Sequence, residues 1–460
     1  MGYVALAGTA FAASSPTALD RYVAAPDTNY TFKLLKTTPT PVGSIYLVEM
    51  ISQAWLTTNE VDRPVWRHWL NIAVPTEVAS QTGLLFITGG NNDKGPPKGP
   101  DGNLARIAVE TKSVAVELRN VPNQPLEFRG DGHRRVEDDL IAYSWDQYIK
   151  LGDDRWPARL PMTKAAVRAM DTVTKFCSQL EGGGVKVERF VVAGGSKRGW
   201  TTWTTAAVDK RVVACVPIVI DVLNLDPSMR HHYAAYGFWA PAVGNYTEHH
   251  IMDWINTPEF ARLMEIEDPY AYRQRYTMPK LIINATGDQF FLPDSSQYYW
   301  NDLPGPKYLR YVPNTDHSLR DSDAWETIQT FYQALLRHTA LPDMAWSFDP
   351  DGFIRVQPGL TPVAAKLWQA TNPKARDFRL ATLGPKWTST PLTIENGRIQ
   401  ARVAEPAQGW TAFLDEVTYE LPNRIPLKLT SAVRVLPDRV DHQWKPDKTA
   451  ITGKADGTKR

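Results

Sequence analysis

A short segment near the middle of the chain, residues 188–200, constrains the fold more than any other. It reads Glu-Arg-Phe-Val-Val-Ala-Gly-Gly-Ser-Lys-Arg-Gly-Trp, a buried-type strand that meets a glycine turn and continues as a helix, with Ser196 at the bend. Such an elbow lifts a serine hydroxyl out of the sheet and places it beside backbone N–H groups that can bind an oxyanion. Gly194, Gly195 and Gly199 leave the space that a tight turn needs. Taken alone, the segment is equally typical of a turn whose serine only caps the helix.

Two later segments supply the residues that a nucleophilic serine needs. One apolar strand ends at Asp288, and a further strand leads into a loop that holds His317. Like Ser196, both residues follow the carboxyl end of a predicted strand, where open α/β sheets place their chemistry. The chain order serine, aspartate, histidine is that of α/β-hydrolases. We therefore expect Ser196 as nucleophile, His317 as general base and Asp288 as the acid that orients the imidazole.

Asp294 is an alternative candidate for the acid. We prefer Asp288 because it directly follows its strand, whereas Asp294 comes after Pro293 and has the position of an N-cap. The helix that it would cap is predicted over residues 295–303.

The loop after the strand that begins at Leu84 is rich in glycine and proline. In α/β-hydrolases the corresponding loop supplies an N–H group to the oxyanion hole. Gly89, Gly90 and Asn91 are therefore candidate oxyanion donors, together with the backbone N–H of Lys197. A plain connecting loop explains the three loop residues nearly as well.

The order of predicted elements indicates an α/β-hydrolase fold followed by a β domain. Antiparallel strands come first, and then buried strands alternate with helices, which predicts a mostly parallel sheet with helices on both faces over residues 15–340. The alternation stops at about 221–278, where many aromatic residues indicate a lid insertion over the active-site mouth. From 341 to 445, strand-like segments with Asp-Gly and Asn-Gly turns predict an immunoglobulin-like β-sandwich.

The charge and the chain ends bear on partners and location. With 51 basic and 50 acidic residues the formal net charge is +1, which argues against nucleic acid and anionic membranes as partners. Residues 1–14 are small and apolar and contain Ala-Phe-Ala-Ala, so we expect a signal-peptide remnant and a secreted or periplasmic protein, although the usual positive residues are missing. No other apolar run has the length of a membrane span. Residues 446–460 are predicted to be a tail.

Metal and thiol chemistry have little support in the sequence. Histidine pairs at 231–232 and 249–250 lack helical ligand spacing and nearby cysteines, so we expect no metal and no cofactor. The two cysteines, Cys177 and Cys215, lie in apolar segments, and their pairing cannot be inferred from the sequence.

Five long segments carry a family resemblance. They lie at residues 66–75, 121–126, 137–145, 194–200 and 286–295. Through them the chain resembles the PhoPQ-activated pathogenicity-related protein family, a group of secreted or periplasmic α/β-hydrolase-like proteins. The resemblance runs from about residue 20 to the carboxyl terminus and implies the hydrolase fold.

The elbow is also similar, more weakly, to the Gly-Cys-Ser-Arg-x-Gly motif of glucuronoyl esterases. Residues 194–199 read Gly-Gly-Ser-Lys-Arg-Gly, so Gly195 replaces the cysteine and Lys197 replaces the arginine. The resemblance implies that the Lys197 side chain adds positive charge near the oxyanion.

These observations predict a secreted serine hydrolase that cleaves a small-molecule or polysaccharide-linked carboxylic ester through an acyl-enzyme intermediate. Two alternatives stay open. One is a serine peptidase or aminopeptidase on the same fold, in which the acidic residues 137–139 would anchor a peptide terminus. The other is a noncatalytic signalling or binding protein that retains the hydrolase fold.

Overall fold

The computed structural model describes residues 15–422 and 425–452. The predicted signal-peptide remnant, residues 1–14, therefore lies outside the described residues, as does the end of the predicted tail.

The first large unit is built on a mixed sheet. Its strands are, in chain order, β1 (Thr31–Thr40), β2 (Gly43–Ala54), β3 (Val65–Pro75), β4 (Thr82–Ile87), β5 (Ala115–Arg119), β6 (Leu126–Glu127), β7 (Arg134–Arg135), β8 (Arg189–Gly195), β9 (Val212–Ile218), β10 (Lys280–Ala285) and β11 (Lys307–Val312). Strands β6 and β7 pair only with each other, and the others form a nine-stranded sheet in the order β1-β2-β3-β5-β4-β8-β9-β10-β11. Pairing is antiparallel from β1 to β5 and parallel from β5 to β11.

Helices cover both faces of this sheet. They are α1 (Ala18–Ala24), α2 (Gly102–Thr111), α3 (Glu137–Leu151), α4 (Arg159–Cys177), α5 (Lys197–Val208), α6 (Leu225–Tyr236), α7 (Gly244–Glu248), α8 (Pro258–Glu267) and α9 (Ala324–Leu336). Neighbouring residues of the buried strand β8 point to opposite faces, as a pleated strand requires. Val192 packs in the core that holds α3, α4 and α5, and Val191 packs in the core that holds α2 and α9. The α/β-hydrolase fold is thereby confirmed.

The segment between β9 and β10 is an insertion on the sheet. It contains α6, α7 and α8, together with 3₁₀ helices at Pro241–Val243, Ile251–Trp254 and Pro269–Arg275. It coincides with the predicted lid over about 221–278 and adds no strand to the sheet within the described residues. Further 3₁₀ helices lie at Leu180–Gly182, Ser295–Tyr298 and Trp300–Asp302.

The C-terminal part forms two antiparallel sheets. Their strands are β12 (Ala345–Phe348), β13 (Phe353–Gln357), β14 (Ala364–Asn372), β15 (Thr388–Pro391), β16 (Ile394–Glu395), β17 (Arg398–Arg402), β18 (Trp410–Glu420), β19 (Pro426–Thr430) and β20 (Arg434–Leu436), with α10 (Leu380–Leu383) between β14 and β15 and α11 (Lys448–Thr452) after β20. One sheet has the order β12-β13-β17-β16, and the other has the order β15-β14-β18-β19 with β20 beside β18.

The two sheets share one apolar core, which makes them a sandwich. Val356 and Ile399 from one sheet pack in the same cluster as Leu367 and Phe413 from the other. The second sheet also contacts the hydrolase unit, where the Tyr311 N–H of β11 donates to Thr430 Oγ1 at 2.9 Å. We call β12 to β20 and their connections the C-terminal sandwich.

The described start of the predicted tail lies against the lid. Helix α11 contacts the Ile251–Trp254 turn, and the Asp447 N–H donates to Asp253 Oδ1 at 2.8 Å. Within residues 15–422 and 425–452, no helix is both long and apolar enough to cross a membrane.

Candidate active site

Ser196 occupies a strained elbow between β8 and α5. Its backbone has φ 57° and ψ −129°, a conformation that costs free energy in a non-glycine residue and is typical of functional sites. The Ser196 N–H donates to Ile218 O at 2.8 Å, and the Trp200 N–H donates to Ser196 O at 2.9 Å. The side chain makes no capping hydrogen bond, so the alternative of a serine that only caps the helix is wrong.

Two of the three glycines are required by close backbone approach. A Cβ on Gly194 would lie 2.8 Å from Arg198 O, and a Cβ on Gly199 would lie 2.7 Å from Gly194 O and 2.9 Å from Ile218 O. A Cβ on Gly195 would meet only a Val219 methyl group, at 4.0 Å. The turn therefore depends on the first and last glycines and not on the middle one.

Asp288 and His317 form a pair at the ends of β10 and β11. Asp288 Oδ2 lies 2.7 Å from His317 Nδ1, and Asp288 Oδ1 accepts the N–H groups of Phe290 at 2.7 Å and Phe291 at 3.3 Å. An ionised carboxylate accepts, so Nδ1 carries the proton and Nε2 has a free lone pair. Nε2 is buried and has no hydrogen-bond partner in the described chain, Ser196 included. Catalytic hydrogen bonds are often long before substrate binds.

Ser196 lines a partly open cavity, and the His317 imidazole lies behind two aromatic rings of its wall. The cavity offers about 40 Å³ to the centres of water molecules, and Ser196, Lys197 and Asp138 form its polar wall. The rings of Phe290 and Phe291 also line it, and their centroids lie 4.5 and 6.0 Å from that of the His317 imidazole. The rest of the wall is apolar or aromatic and comprises Trp145, Trp200, Ile220, Val222, Leu225, Met229, Val243, Tyr246, Ile251 and Met252. Most of these residues belong to the insertion, which covers the cavity as a lid does.

Asp294 lies in a different network. Its carboxylate accepts from Arg376 Nη2 at 2.6 Å, lies 3.0 Å from His231 Nε2 and accepts from Gln297 Nε2 at 3.2 Å. Burial alone would raise the pKa of Asp294, but the Arg376 guanidinium and His231 outweigh burial and hold that pKa well below its usual range. The predicted capped helix over 295–303 is wrong, because two 3₁₀ helices occupy this stretch and Asp294 makes no side-chain cap.

The Lys197 ammonium is already paired. It lies 2.8 Å from Glu137 Oε2 and 3.1 Å from Asp138 Oδ2, and Tyr246 donates to the other oxygen of Asp138 at 3.1 Å. Its positive charge is thus compensated inside the wall of the cavity. The Lys197 N–H is the first of α5 and has no partner within the helix, so it remains the group that an oxyanion could use.

The neighbouring Arg198 holds the elbow against α3 and the Gly89 loop. Its guanidinium binds both oxygens of Glu137, at 2.6 and 2.7 Å, and donates to Val121 O at 2.5 Å. Burial would raise the pKa of Glu137, but Arg198 and Lys197 outweigh it and keep that pKa well below its usual range. Sequence reasoning missed this role of Arg198. The opposite charges of Lys-Arg at 197–198 and Glu-Asp at 137–138 were the available signal.

The predicted oxyanion loop approaches the elbow at Gly89, which lies against the Arg198 guanidinium. A Cβ on Gly89 would lie 2.5 Å from Arg198 Nη2, so a side chain there would displace the guanidinium. Gly89 O accepts from Asn120 N–H at 3.1 Å, and Gly90 O accepts from Gln124 Nε2 at 3.1 Å, which fixes the loop. Asn91 lines a separate surface cleft, and its Oδ1 accepts the Asp93 N–H at 2.8 Å. The oxyanion role of these three residues stays a prediction.

The cysteines and the remaining histidines lie apart from this chemistry. Cys177 and Cys215 are free thiols, and burial raises the pKa of each to about 12, which makes them poor nucleophiles. His232 Nε2 accepts the Ala240 N–H at 3.0 Å, and His250 lies 3.2 Å from Asp253. The described residues contain no cluster of three or more side chains that could hold a metal ion.

Known proteins place the chain in a family. Residues 19–379 match the sequence model of the PhoPQ-activated pathogenicity-related proteins. The chain belongs to this family. It is 38% identical over 452 residues to Autocrine proliferation repressor protein A of Dictyostelium discoideum, an alignment that covers 92% of this chain and 91% of that protein. The resemblance found in the sequence is therefore confirmed.

The comparisons also find two esterases at lower similarity. The chain is 28% identical over 175 residues to Acetyl esterase Axe7A of Xylanibacter ruminicola, which covers 37% of this chain and 34% of that enzyme. Among solved structures, Acetyl Xylan Esterase 1 of Thermoanaerobacterium sp. JW/SL YS485 is 14% identical with a TM-score of 0.46, over 69% of this chain and 91% of that one.

Proposed function

We propose that this protein is a serine hydrolase that cleaves carboxylic esters through an acyl-enzyme intermediate. The observation that carries the proposal is the strained backbone of Ser196 at the wall of a cavity, since strained residues of this kind cluster at active sites. The Asp288–His317 pair supports it, because His317 Nε2 has no hydrogen-bond partner among the described residues and the imidazole packs against the Phe290 and Phe291 rings of the cavity wall.

The proposed reaction has two halves. Ser196 Oγ attacks the ester carbonyl carbon while His317 Nε2 takes the hydroxyl proton, and the C–O bond to the alcohol breaks as His317 returns that proton to the leaving oxygen. Water then attacks the acyl-enzyme with His317 again as base, which releases the carboxylic acid and restores Ser196. Asp288 keeps the proton on Nδ1 and stabilises the imidazolium, and the Lys197 N–H, with one N–H of the Gly89 to Asn91 loop, binds the oxyanion.

The cavity favours a small neutral acyl group. A water molecule needs about 10–15 Å³ of space measured in this way, so about 40 Å³ fits a group of only a few heavy atoms. The charges at the wall are compensated, since Lys197 and Arg198 pair with Glu137 and Asp138. The name of the acetyl esterase relative is in keeping with this size. The alcohol side would be a small molecule or a polysaccharide.

The same ion pairs argue against the peptidase alternative. An aminopeptidase needs a free carboxylate for the substrate ammonium, but Glu137 is bound by Arg198 and Lys197, and Asp138 is bound by Lys197 and Tyr246. The third acid of the predicted anchor, Asp139, lies 3.2 Å from His133 Nε2. The proposal includes a secreted or periplasmic location, which cell fractionation tests.

Steady-state kinetics on a substrate panel test the proposal. The panel is p-nitrophenyl acetate, butyrate and octanoate, a methyl uronate ester and an aminoacyl p-nitroanilide. We expect kcat/KM to be highest for acetate and Ser196→Ala to lower it by about 10³-fold or more. Ser178→Ala, at an exposed serine after α4, is the matched control and should equal the parent. Faster cleavage of the anilide than of any ester would favour the peptidase, and no cleavage by the parent would favour the noncatalytic alternative.

A further inference from the structure

The C-terminal sandwich touches the loop that carries Asp288. The Leu380 N–H donates to Gly287 O at 2.9 Å, one residue before Asp288. A Cβ on Gly287 would lie 2.9 Å from Leu380 N and 2.8 Å from Thr315 O. The position therefore admits only glycine, because two backbone segments occupy the space that a Cβ would need.

The same stretch of the sandwich binds the loop that carries His317. The Asn314 side chain donates to Trp387 O at 2.8 Å and accepts the Trp387 N–H at 2.9 Å, so one amide binds both backbone polar groups of Trp387. Asn314 has φ 56°, in the left-handed region that asparagine tolerates better than most residues. Trp387 is buried and Asn314 is half-buried.

The two loops also bind each other at these points. The Asn314 N–H donates to Thr286 Oγ1 at 3.2 Å, and the Gly287 N–H donates to Thr315 O at 3.0 Å. The His317 N–H donates to Gln289 Oε1 at 3.2 Å. Asn314 and Gly287 therefore each form hydrogen bonds with both the opposite loop and the C-terminal sandwich.

A buried ion pair anchors the other end of the same stretch. Arg376 Nη2 lies 2.6 Å from Asp294 Oδ2, and each side chain is 4% exposed. Arg376 also reaches His231 of the lid helix α6 at 3.3 Å. Residues 376–387, which we call the clamp segment, therefore contact the Asp288 loop, the His317 loop and the lid.

We propose that the clamp segment positions Asp288 and His317 for proton transfer, with Asn314 as the principal positioning residue. The inference rests on the proposed hydrolase function. A general base works only when its nitrogen is held close to the productive geometry, and a displacement of about 1 Å can cost about 10²-fold in rate. Asn314 touches neither the cavity nor the reacting atoms, so it acts through the backbone of the His317 loop.

Asn314→Gly isolates the contact. Glycine adopts φ 56° without strain, so the substitution removes the two side-chain hydrogen bonds to Trp387 and leaves the turn intact. Asn396→Gly is the matched control, because Asn396 also has a positive φ, 51°, but lies exposed in the β16–β17 turn. Each purified variant is titrated with a fluorophosphonate probe and assayed on p-nitrophenyl acetate, with kcat expressed per titrated site.

We expect the rates to fall while substrate binding and the number of active sites stay unchanged. For Asn314→Gly, kcat per titrated site and the rate of probe labelling should fall by about 10- to 100-fold, while the final labelled fraction and KM stay within about 3-fold of the parent. Asn396→Gly should match the parent in all four. A lower melting temperature with unchanged kcat per titrated site would make Asn314 merely structural and overturn the inference.

A second variant disrupts the contact between Leu380 and Gly287. Leu380 begins α10, where proline is tolerated, and Arg379 before it has φ −57° and ψ 137°, which suits a residue preceding proline. Leu380→Pro deletes the donor to Gly287 O, replaces the leucine side chain and puts a ring carbon on the nitrogen that lies 2.9 Å from that oxygen. It should therefore displace the Asp288 loop and lower kcat per titrated site in the same direction as Asn314→Gly. Parent-like kcat in Leu380→Pro and Asn314→Gly refutes the clamp while leaving the hydrolase intact. A parent that takes no label at Ser196 refutes both.

Discussion

Asparagine substitutions at the two aspartates of the loop after β10 should affect different properties. Asp288→Asn should lower turnover, and Asp294→Asn should lower stability. In Asp288→Asn, the amide oxygen keeps the hydrogen bonds from the Phe290 and Phe291 N–H groups, so the NH₂ group faces His317 Nδ1. The imidazole must then carry its proton on Nε2 and cannot accept one from Ser196. We expect kcat to fall by about 10⁴-fold with little loss of stability, as for the same change in a serine protease triad.

Asp294→Asn removes the anion from a buried pair. Arg376 and Asp294 are each 4% exposed, and a buried guanidinium left without its carboxylate costs about 3–5 kcal/mol. The Asn314 and Leu380 contacts of the clamp segment remain, so kcat per titrated site should fall by no more than about 10-fold. The variant is thus expected to be unstable but active.

The pH dependence of the free energy of unfolding also tests the role of Asp294. The folded-state pKa of Asp294 lies below its unfolded value, so the stabilisation is fully present above about pH 4 and is lost as pH falls through the folded pKa. In urea denaturation, the stability difference between parent and Asp294→Asn should therefore be smaller at pH 3 than at pH 5. An Asp294→Asn variant that keeps its stability but loses turnover, beside an active Asp288→Asn, would refute the assignment of the acid.

Two further predictions concern stability and the elbow. Asp415 has both carboxylate oxygens buried without a partner among the described residues, and burial raises its pKa to about 8. The free energy of unfolding of the parent should therefore fall as pH rises from about 4 to 8. In urea denaturation, Asp415→Asn should be about 4 kcal/mol more stable than the parent at pH 7 and equally stable near pH 4. The control Asp351→Asn, at an exposed aspartate, should equal the parent at both pH values. Gly195→Ala should keep full probe labelling, whereas Gly199→Ala should lose it, because only the second Cβ meets backbone atoms; equal labelling of the two would contradict this account of the turn.

Local sequence was enough to predict the elbow and the strand ends. Gly194, Ser196 and Gly199 act within one turn, so their spacing carries the geometry. The preference for Asp288 followed from its position directly after β10, which places it beside the end of β11. Strand β1 is harder to predict from the sequence, because most of its residues are exposed and its apolar residues do not alternate clearly with polar ones.

Contacts between distant segments could not be predicted in this way. Asp294 has the sequence position of a cap, but its partner Arg376 is 82 residues away. Asn314 and Trp387 are separated by 73 residues, and the asparagine binds backbone groups that every residue except proline offers. A contact of this kind cannot be recognised from the types of the residues involved. The pairing of Lys197 with Glu137 and Asp138 likewise depends on how α3 packs against α5.

The central claim is that Ser196 is a nucleophile activated by His317, and covalent labelling tests it most directly. The parent protein is incubated with a fluorophosphonate and digested, and the modified residue is located by mass spectrometry. We predict one adduct per chain, on Ser196, with labelling at least about 10³-fold slower in His317→Ala. An adduct on another residue, or a labelling rate unaffected by the loss of His317, would contradict the account.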